Sequence, residues 1–95
     1  VIGIVPGVLA VGDADETLTA GTTSPTVVWG TTLTADRSAS LASGYAGGKF
    51  RIVRTAAGAF NLNVGTGPLK VLATNEWCDL EHDGSSWALT AFGSL

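Results

Sequence analysis

The chain has 95 residues, of which 45% are hydrophobic and only 14% charged, with 13 glycines, one cysteine and a net charge of -3. That length sets a single domain, and the hydrophobic content excludes a disordered chain. Five dispersed basic residues, Arg37, Lys49, Arg51, Arg54 and Lys70, leave no basic stripe for nucleic acid, and Cys78 alone excludes an intrachain disulfide or a cysteine-based zinc site.

A domain this small has a high ratio of surface to volume, and its outside must be covered largely by Ala, Gly, Thr and Ser. Burial against copies of itself is expected, because obligate homo-oligomer interfaces are depleted in charge. The opening stretch VIGIVPGVLAVG is too short to span a bilayer and has no basic n-region, so neither membrane insertion nor a signal peptide is expected. Residues 1–12 read as a junction or shaft segment, and 13–95 as the domain.

In chain order, every informative segment alternates with period 2, which predicts an all-β fold with almost no helix. Val1 to Val5 and Val8 to Val11 are short β-branched runs broken by the turn pair Pro6-Gly7. A polar turn at residues 12–16 leads to Thr17 to Thr19, and after a loop with Gly21, Ser24 and Pro25 the run Thr26 to Thr34 resumes strand chemistry, with Gly30 marking a bulge or a close approach. Ser38 to Ser43 is a run of small side chains suited to a crowded interface, so Ser38, Ala39 and Leu41 are the expected subunit contacts.

Lys49 to Thr55 places Phe50 and Ile52 on one face and Lys49, Arg51 and Val53 on the other. Phe60 to Gly65 sets Phe60, Leu62 and Val64 inward and Asn61 and Asn63 outward. The short loop between them predicts a hairpin with one wet face. After Leu69 to Thr74, Glu76 to His82 and Ser86 to Phe92 flank Asp83-Gly84, a second hairpin signal that sets Trp87 opposite Leu80 in the core. Eight or nine short strands at this spacing predict an antiparallel β-sandwich or jelly-roll-like domain.

The segments Thr31 to Arg37, Gly48 to Thr55, Phe60 to Gly65, Leu69-Lys70, Glu76 to Gly84 and Trp87 to Thr90 together resemble a small module at the carboxyl ends of bacteriophage tail spike and tail fibre proteins, where such modules follow right-handed parallel β-helix domains. The resemblance spans about residues 13–95. It implies a homotrimer that caps or registers a fibre in the virion, whose partners are its own copies, a preceding shaft or β-helix of the same polypeptide, and host cell-surface polysaccharide.

Among chemical candidates, Asp13, Asp15 and Glu16 share one loop, and Asp79 and Glu81 share one strand face at a spacing that glycoside hydrolysis tolerates. They read as solvated acids. His82 and Cys78 lie on one strand, where they form neither a metal site nor a nucleophile pair, and no Gly-x-Ser-x-Gly elbow occurs. Gly44 to Gly48 precedes no helix and makes no phosphate cradle. No catalytic residue, metal or cofactor is assigned. Aromatic rings beside amides and charges are the chemistry of sugar recognition, and Tyr45, Arg51, Asn61, Asn63 and Trp77 are the expected ligand contacts. Two other readings fit the sequence, a monomeric carbohydrate-binding module and a capsid decoration or head-fibre protein.

Overall fold

A computed structural model describes residues 8–42 and 44–95. The strand expected at Val1 to Val5, the turn at Pro6-Gly7 and the end of the small-residue run at Ser43 lie outside the described residues. Within them the chain is all-β, with nine strands and no helix: β1 Val8–Val11, β2 Glu16–Leu18, β3 Thr26–Trp29, β4 Arg37–Leu41, β5 Lys49–Arg54, β6 Leu62–Val64, β7 Lys70–Leu72, β8 Glu76–His82 and β9 Trp87–Ser94. Val8–Val11, inside the stretch read as a junction, is hydrogen-bonded into the larger sheet.

The strands form a five-stranded sheet in the order β1-β3-β5-β8-β9 and a four-stranded sheet in the order β2-β4-β6-β7. For the first six strands the chain alternates between the sheets, and each of β1 to β4 pairs in parallel with the strand two places later. Val8 aligns with Thr26 and Thr26 with Arg51, while Glu16 aligns with Ala39 and Ala39 with Val64. The chain therefore winds through three stacked rungs, β1/β2, β3/β4 and β5/β6, in the manner of a solenoid. The far end is different: β7 pairs antiparallel with β6, β8 antiparallel with β5, and β9 antiparallel with β8.

Two expectations are corrected here. The sheets are mixed rather than wholly antiparallel, and Lys49 to Thr55 does not form a hairpin with Phe60 to Gly65. Alternation specifies which face of a strand is buried but not which strand lies beside it, so a coil and a hairpin present the same pattern. Arg54 holds the chain to the coil. It is wholly buried, and its guanidinium donates to the carbonyls of Ala56 at 3.1 Å, Gly58 at 3.1 Å, Phe60 at 2.7 Å and Leu72 at 2.8 Å. These bonds shape the corner that carries the chain from one sheet to the other. Gly58 in this corner has φ 114°, and a Cβ there would stand 2.7 Å from the Leu33 carbonyl oxygen of the rung below, so only glycine fits. Phe60, expected inward, belongs to the corner and is exposed.

Side chains on the inner faces of the two sheets fill the core, including Leu18, Val27, Trp29, Ile52, Leu62, Val64, Leu72 and Leu80, all at most 1% exposed. Trp29 fills the largest share, and its indole N–H donates to the Ala14 carbonyl at 3.0 Å, so that no buried polar atom is orphaned there. The Asp83-Gly84 hairpin forms as expected: Asp83 Oδ1 accepts from the amides of Ser85 and Ser86, and Gly84 has φ 102°. A bulge between Asp79 and Leu80 changes the phase of its second strand, leaving Thr90 as the extra residue. Trp87 pairs with His82 rather than Leu80, a register set on the turn side of the bulge, and its indole N–H donates to the Ala42 carbonyl at 2.8 Å.

Candidate functional site

The residues expected to bind ligand do not converge. Arg51 and Trp77 lie together on the outer face of the five-stranded sheet. Asn63 lies on the outer face of the other sheet, in register with Ser38 and Val71, and Asn61 sits in the corner before it, donating its backbone N–H to Asp36. Tyr45 is an exposed loop ring, 56% accessible, and stands close to Gly21. The patch expected from Arg51, Asn61 and Asn63 is thus not formed, because β5 and β6 belong to opposite layers.

Of the expected subunit contacts, Ser38 is exposed, Leu41 is half-buried and Ala39 is wholly buried. Ala39 aligns with Val64 on the inner face of its sheet, where its methyl group belongs to the core of its own chain. It is therefore removed from the expected interface: the small side chain that suggested a crowded contact between chains serves the contact between layers.

Around Arg51 a polar site does take shape. Registration of β5 against β8 sets Lys49 opposite Glu81, Arg51 opposite Asp79 and Val53 opposite Trp77. Arg51 grips Asp79 with both arms, Nε to Oδ1 at 2.7 Å and Nη2 to Oδ2 at 2.8 Å, the bidentate geometry that makes such pairs strong and directional. The same guanidinium lies 5.2 Å from the centre of the Trp77 ring. Lys49 Nζ stands 3.8 Å from Glu81, a looser pair exposed to water.

Pro25 and Thr26 at the start of β3 form one wall, with Thr90 of the bulge on the other side, and the open groove between them has a volume of about 350 Å³. The Pro25 carbonyl accepts the Arg51 amide at 2.7 Å, and the Thr90 hydroxyl donates to the Asp79 carbonyl at 3.2 Å. Trp77 rests on Gly93 of β9, where a Cβ would come within about 3.0 Å of the indole. Glycine there lets the indole approach the backbone of β9 closely, and a larger residue would push the ring back by a few tenths of an ångström.

Electrostatics hold this pair ionised. The Arg51 hydrogen bonds lower the Asp79 pKa, outweighing its partial desolvation, and the same contact raises that of Arg51. A carboxyl group held as carboxylate cannot serve as the proton donor that paired-acid glycoside hydrolysis needs. Elsewhere Cys78 is wholly buried and its thiol is pushed up to about 12 by desolvation, which removes its nucleophilic form at neutral pH. His82 is buried edge-on to Trp87 at 5.1 Å between centroids, and its Nδ1 accepts the Gly84 amide at 3.0 Å. Among the described residues no group of three or more His, Cys, Asp or Glu side chains is placed to hold a metal ion.

Two of the three loop acids read as solvated, Asp13 and Asp15, have hydrogen-bond partners while staying at the surface. Asp13 accepts from the backbone and hydroxyl of Thr34 and from Arg37 Nε at 2.9 Å. The contacts with Arg37 and then Thr34 hold its carboxyl well below the usual carboxylate range. Asp15 accepts the Ser38 amide and Asp36 the Asn61 amide, each at 2.8 Å. In each case the aspartate just before a strand of the smaller sheet binds the amide of its aligned neighbour in the next rung.

Sequence reasoning found Arg51 and Trp77 but missed Pro25, Thr26, Lys49 and Thr90, and it gave Asp79 and Glu81 no cationic partners. Opposite charges at residues 49 and 51 and at 79 and 81 carried the signal, since equal spacing on two strands permits cross-strand pairing. Only the pairing of β5 with β8 could have revealed it. Comparison with protein-family models, with curated proteins and with solved structures returned no match.

Proposed function

We propose that the chain is a structural end module, a trimerising carboxyl-terminal tip domain of the kind that closes a phage tail spike or fibre, acting in the virion without catalysis of its own. The observation that carries this reading is the polarity of the stack. At one end β1 and β2, consecutive strands of the first rung, are the outer strands of the two sheets, and both pair in parallel on their inner sides. At the other end, antiparallel strands interrupt the coil.

Two parallel edges at the same end fit a preceding rung of a parallel β-solenoid, which extends both sheets at once and removes the hazard of open edges. A shaft or β-helix of the same polypeptide is the partner with that geometry. Self-association is supported by the low charge and by the exposure of Val8 at 60%, Phe92 at 61% and Leu95 at 65%.

Size-exclusion chromatography with multi-angle light scattering, over a hundredfold range of concentration, tests the proposal. A stable mass of three chains is the expected result. A single-chain mass throughout would overturn the trimeric tip and leave the monomeric carbohydrate-binding module, which the groove beside Arg51 independently favours.

A further inference from the structure

The groove on the outer face of the five-stranded sheet has no role in stacking rungs or in filling the core. We infer that it is a binding site for a neutral, hydroxyl-rich ligand, one or two sugar rings of an uncharged saccharide held by Lys49, Arg51, Asp79, Glu81 and Thr90. This assignment stands apart from the end-module reading, because it rests on the chemistry of one chain's sheet face.

Shape is the first argument. A regular sheet face is flat, and here the concavity coincides with the bulge that inserts Thr90 opposite the Asp79/Leu80 step. Bulges redirect side chains and are over-represented beside binding and catalytic sites. Its volume of about 350 Å³ falls at the small end of the roughly 300–1,000 Å³ of small-molecule sites.

Charge selects the ligand. Two cations on β5 face two anions on β8, so the groove is electrically balanced and its strongest pair is already satisfied. An anion drawn to Lys49 meets Glu81 beside it, and a cation drawn to Asp79 meets Arg51, so a charged ligand finds an opposing charge next to each one that attracts it. An apolar ligand would strip water from four ionic groups without replacing it, at a large desolvation cost. Hydroxyl groups avoid both problems, since each donates and accepts. The Asp79 oxygens each use one acceptor direction for Arg51, and a carboxylate offers about four such directions in all. Lys49, at 3.8 Å from Glu81 and with a side chain 69% exposed, has protons to offer. Neighbouring hydroxyls of a pyranose fit a carboxylate beside a guanidinium without breaking their pair. Trp77 lies outside the groove and offers no stacking platform to it, because Arg51 lies over its ring.

The test is a ¹H–¹⁵N NMR titration of the whole chain with four neutral tetrasaccharides, built from glucose in α linkage, glucose in β linkage, mannose and N-acetylglucosamine, with a heparin-derived tetrasaccharide as the polyanionic comparison. At least one neutral probe is expected to give saturable shifts at the amides of residues 49–51 and 79–81 and at the Arg51 Nε–H. In Asp79→Asn and in Lys49→Gln the dissociation constant of that probe should rise about tenfold, the loss of one hydrogen bond to a charged group. Asn63→Ala, on the opposite layer, should leave it unchanged. Both test residues are on the surface, and retention of the amide spectrum elsewhere shows that each variant is folded. The inference is overturned if none of the neutral probes shifts these amides, if the shifts fall on another face, if only the polyanion binds, or if neither variant weakens the neutral probe.

Discussion

Arg54 offers the sharpest test of the packing argument, because a wholly buried guanidinium opposes two large effects. Desolvation lowers its pKa and penalises the charge by several kcal/mol, and the nearby Glu76 only partly offsets this. Against that, the side chain makes four hydrogen bonds, all to carbonyl oxygens of the backbone. Replacing a buried ion pair with apolar groups is often neutral because both partners leave together, but these carbonyls cannot leave. In Arg54→Met, which nearly preserves volume, the Ala56 oxygen keeps the Thr74 hydroxyl at 2.9 Å, and the corner residues Gly58 and Phe60 are exposed enough for their oxygens to meet water. Leu72 is wholly buried and its oxygen, in the strand paired with Leu62, loses its charged donor, at a cost of about 1.5–3 kcal/mol for a hydrogen bond to a charged group. Adding the loss of order in the corner, the expected destabilisation is about 2–4 kcal/mol, a large part of the roughly 5–15 kcal/mol that such a domain has. With a urea slope of about 1–3 kcal/mol per molar, the midpoint followed by tryptophan fluorescence should fall by about 1–2 M. Arg54→Lys should fall by less, since its ammonium keeps the charge but cannot span all four oxygens. An unchanged or higher midpoint for Arg54→Met would refute the claim that the carbonyls, rather than the buried charge, decide the balance.

Two further outcomes follow from the same structure. Ala39→Arg should lose cooperative unfolding altogether, because a cation placed in the core costs more than about 4 kcal/mol; a well-folded variant with a reduced oligomeric mass would return Ala39 to a subunit interface. The carboxyls of Asp13, Asp79 and Asp83 are lowered in the folded chain by their hydrogen bonds from Arg37, Arg51 and the Ser86 amide respectively. Their contribution is therefore complete above the unfolded value of 3.8 and is lost as pH falls below it through the folded values. Urea midpoints should be level from neutral pH to about 5 and fall steeply under about 4, and Asp13→Asn should flatten that acid limb; an equally steep limb in Asp13→Asn would remove Asp13 from the argument.

Much of the fold was legible because alternation reports burial one strand at a time. In Lys49–Arg54 the phase that buries Phe50 and Ile52 also buries Arg54, and in Glu76–His82 the phase that buries Cys78 and Leu80 also buries His82. The pattern thus carried these polar core positions, although a bias toward exposed charge hid them. Partner choice was not legible. Nothing in Lys49–Arg54 says that it lies between Thr26–Trp29 and Glu76–His82 instead of beside Leu62–Val64, since parallel pairs 25 residues apart leave no local turn signal. The site inherits this limit. Arg51 was identifiable by its phase, but its grip on Asp79 and the wall at Pro25 exist only once three strands are placed side by side.

The scarcity of charge has a physical account in the corners. A coil with short strands exposes amide groups wherever the chain turns, between layers or within one sheet, and here carboxylates meet several of them: Asp13 at Thr34, Asp15 at Ser38, Asp36 at Asn61, Glu76 at Ala73 and Asp83 at Ser85 and Ser86. Five of the eight acids in the chain are engaged in this way. Asp15 and Asp36 do so between successive rungs, so they add to the nearest-neighbour coupling on which stacked coils depend. Acids committed to backbone amides are not available to decorate the sheet faces, which are left to Thr, Ser, Ala and Val. Against that background the two ion pairs on β5 and β8 stand apart: they touch no corner and bridge no rungs of the parallel coil, and they border a groove that a bulge opens. A face assembled only to be solvated would need neither the bidentate contact nor the inserted Thr90.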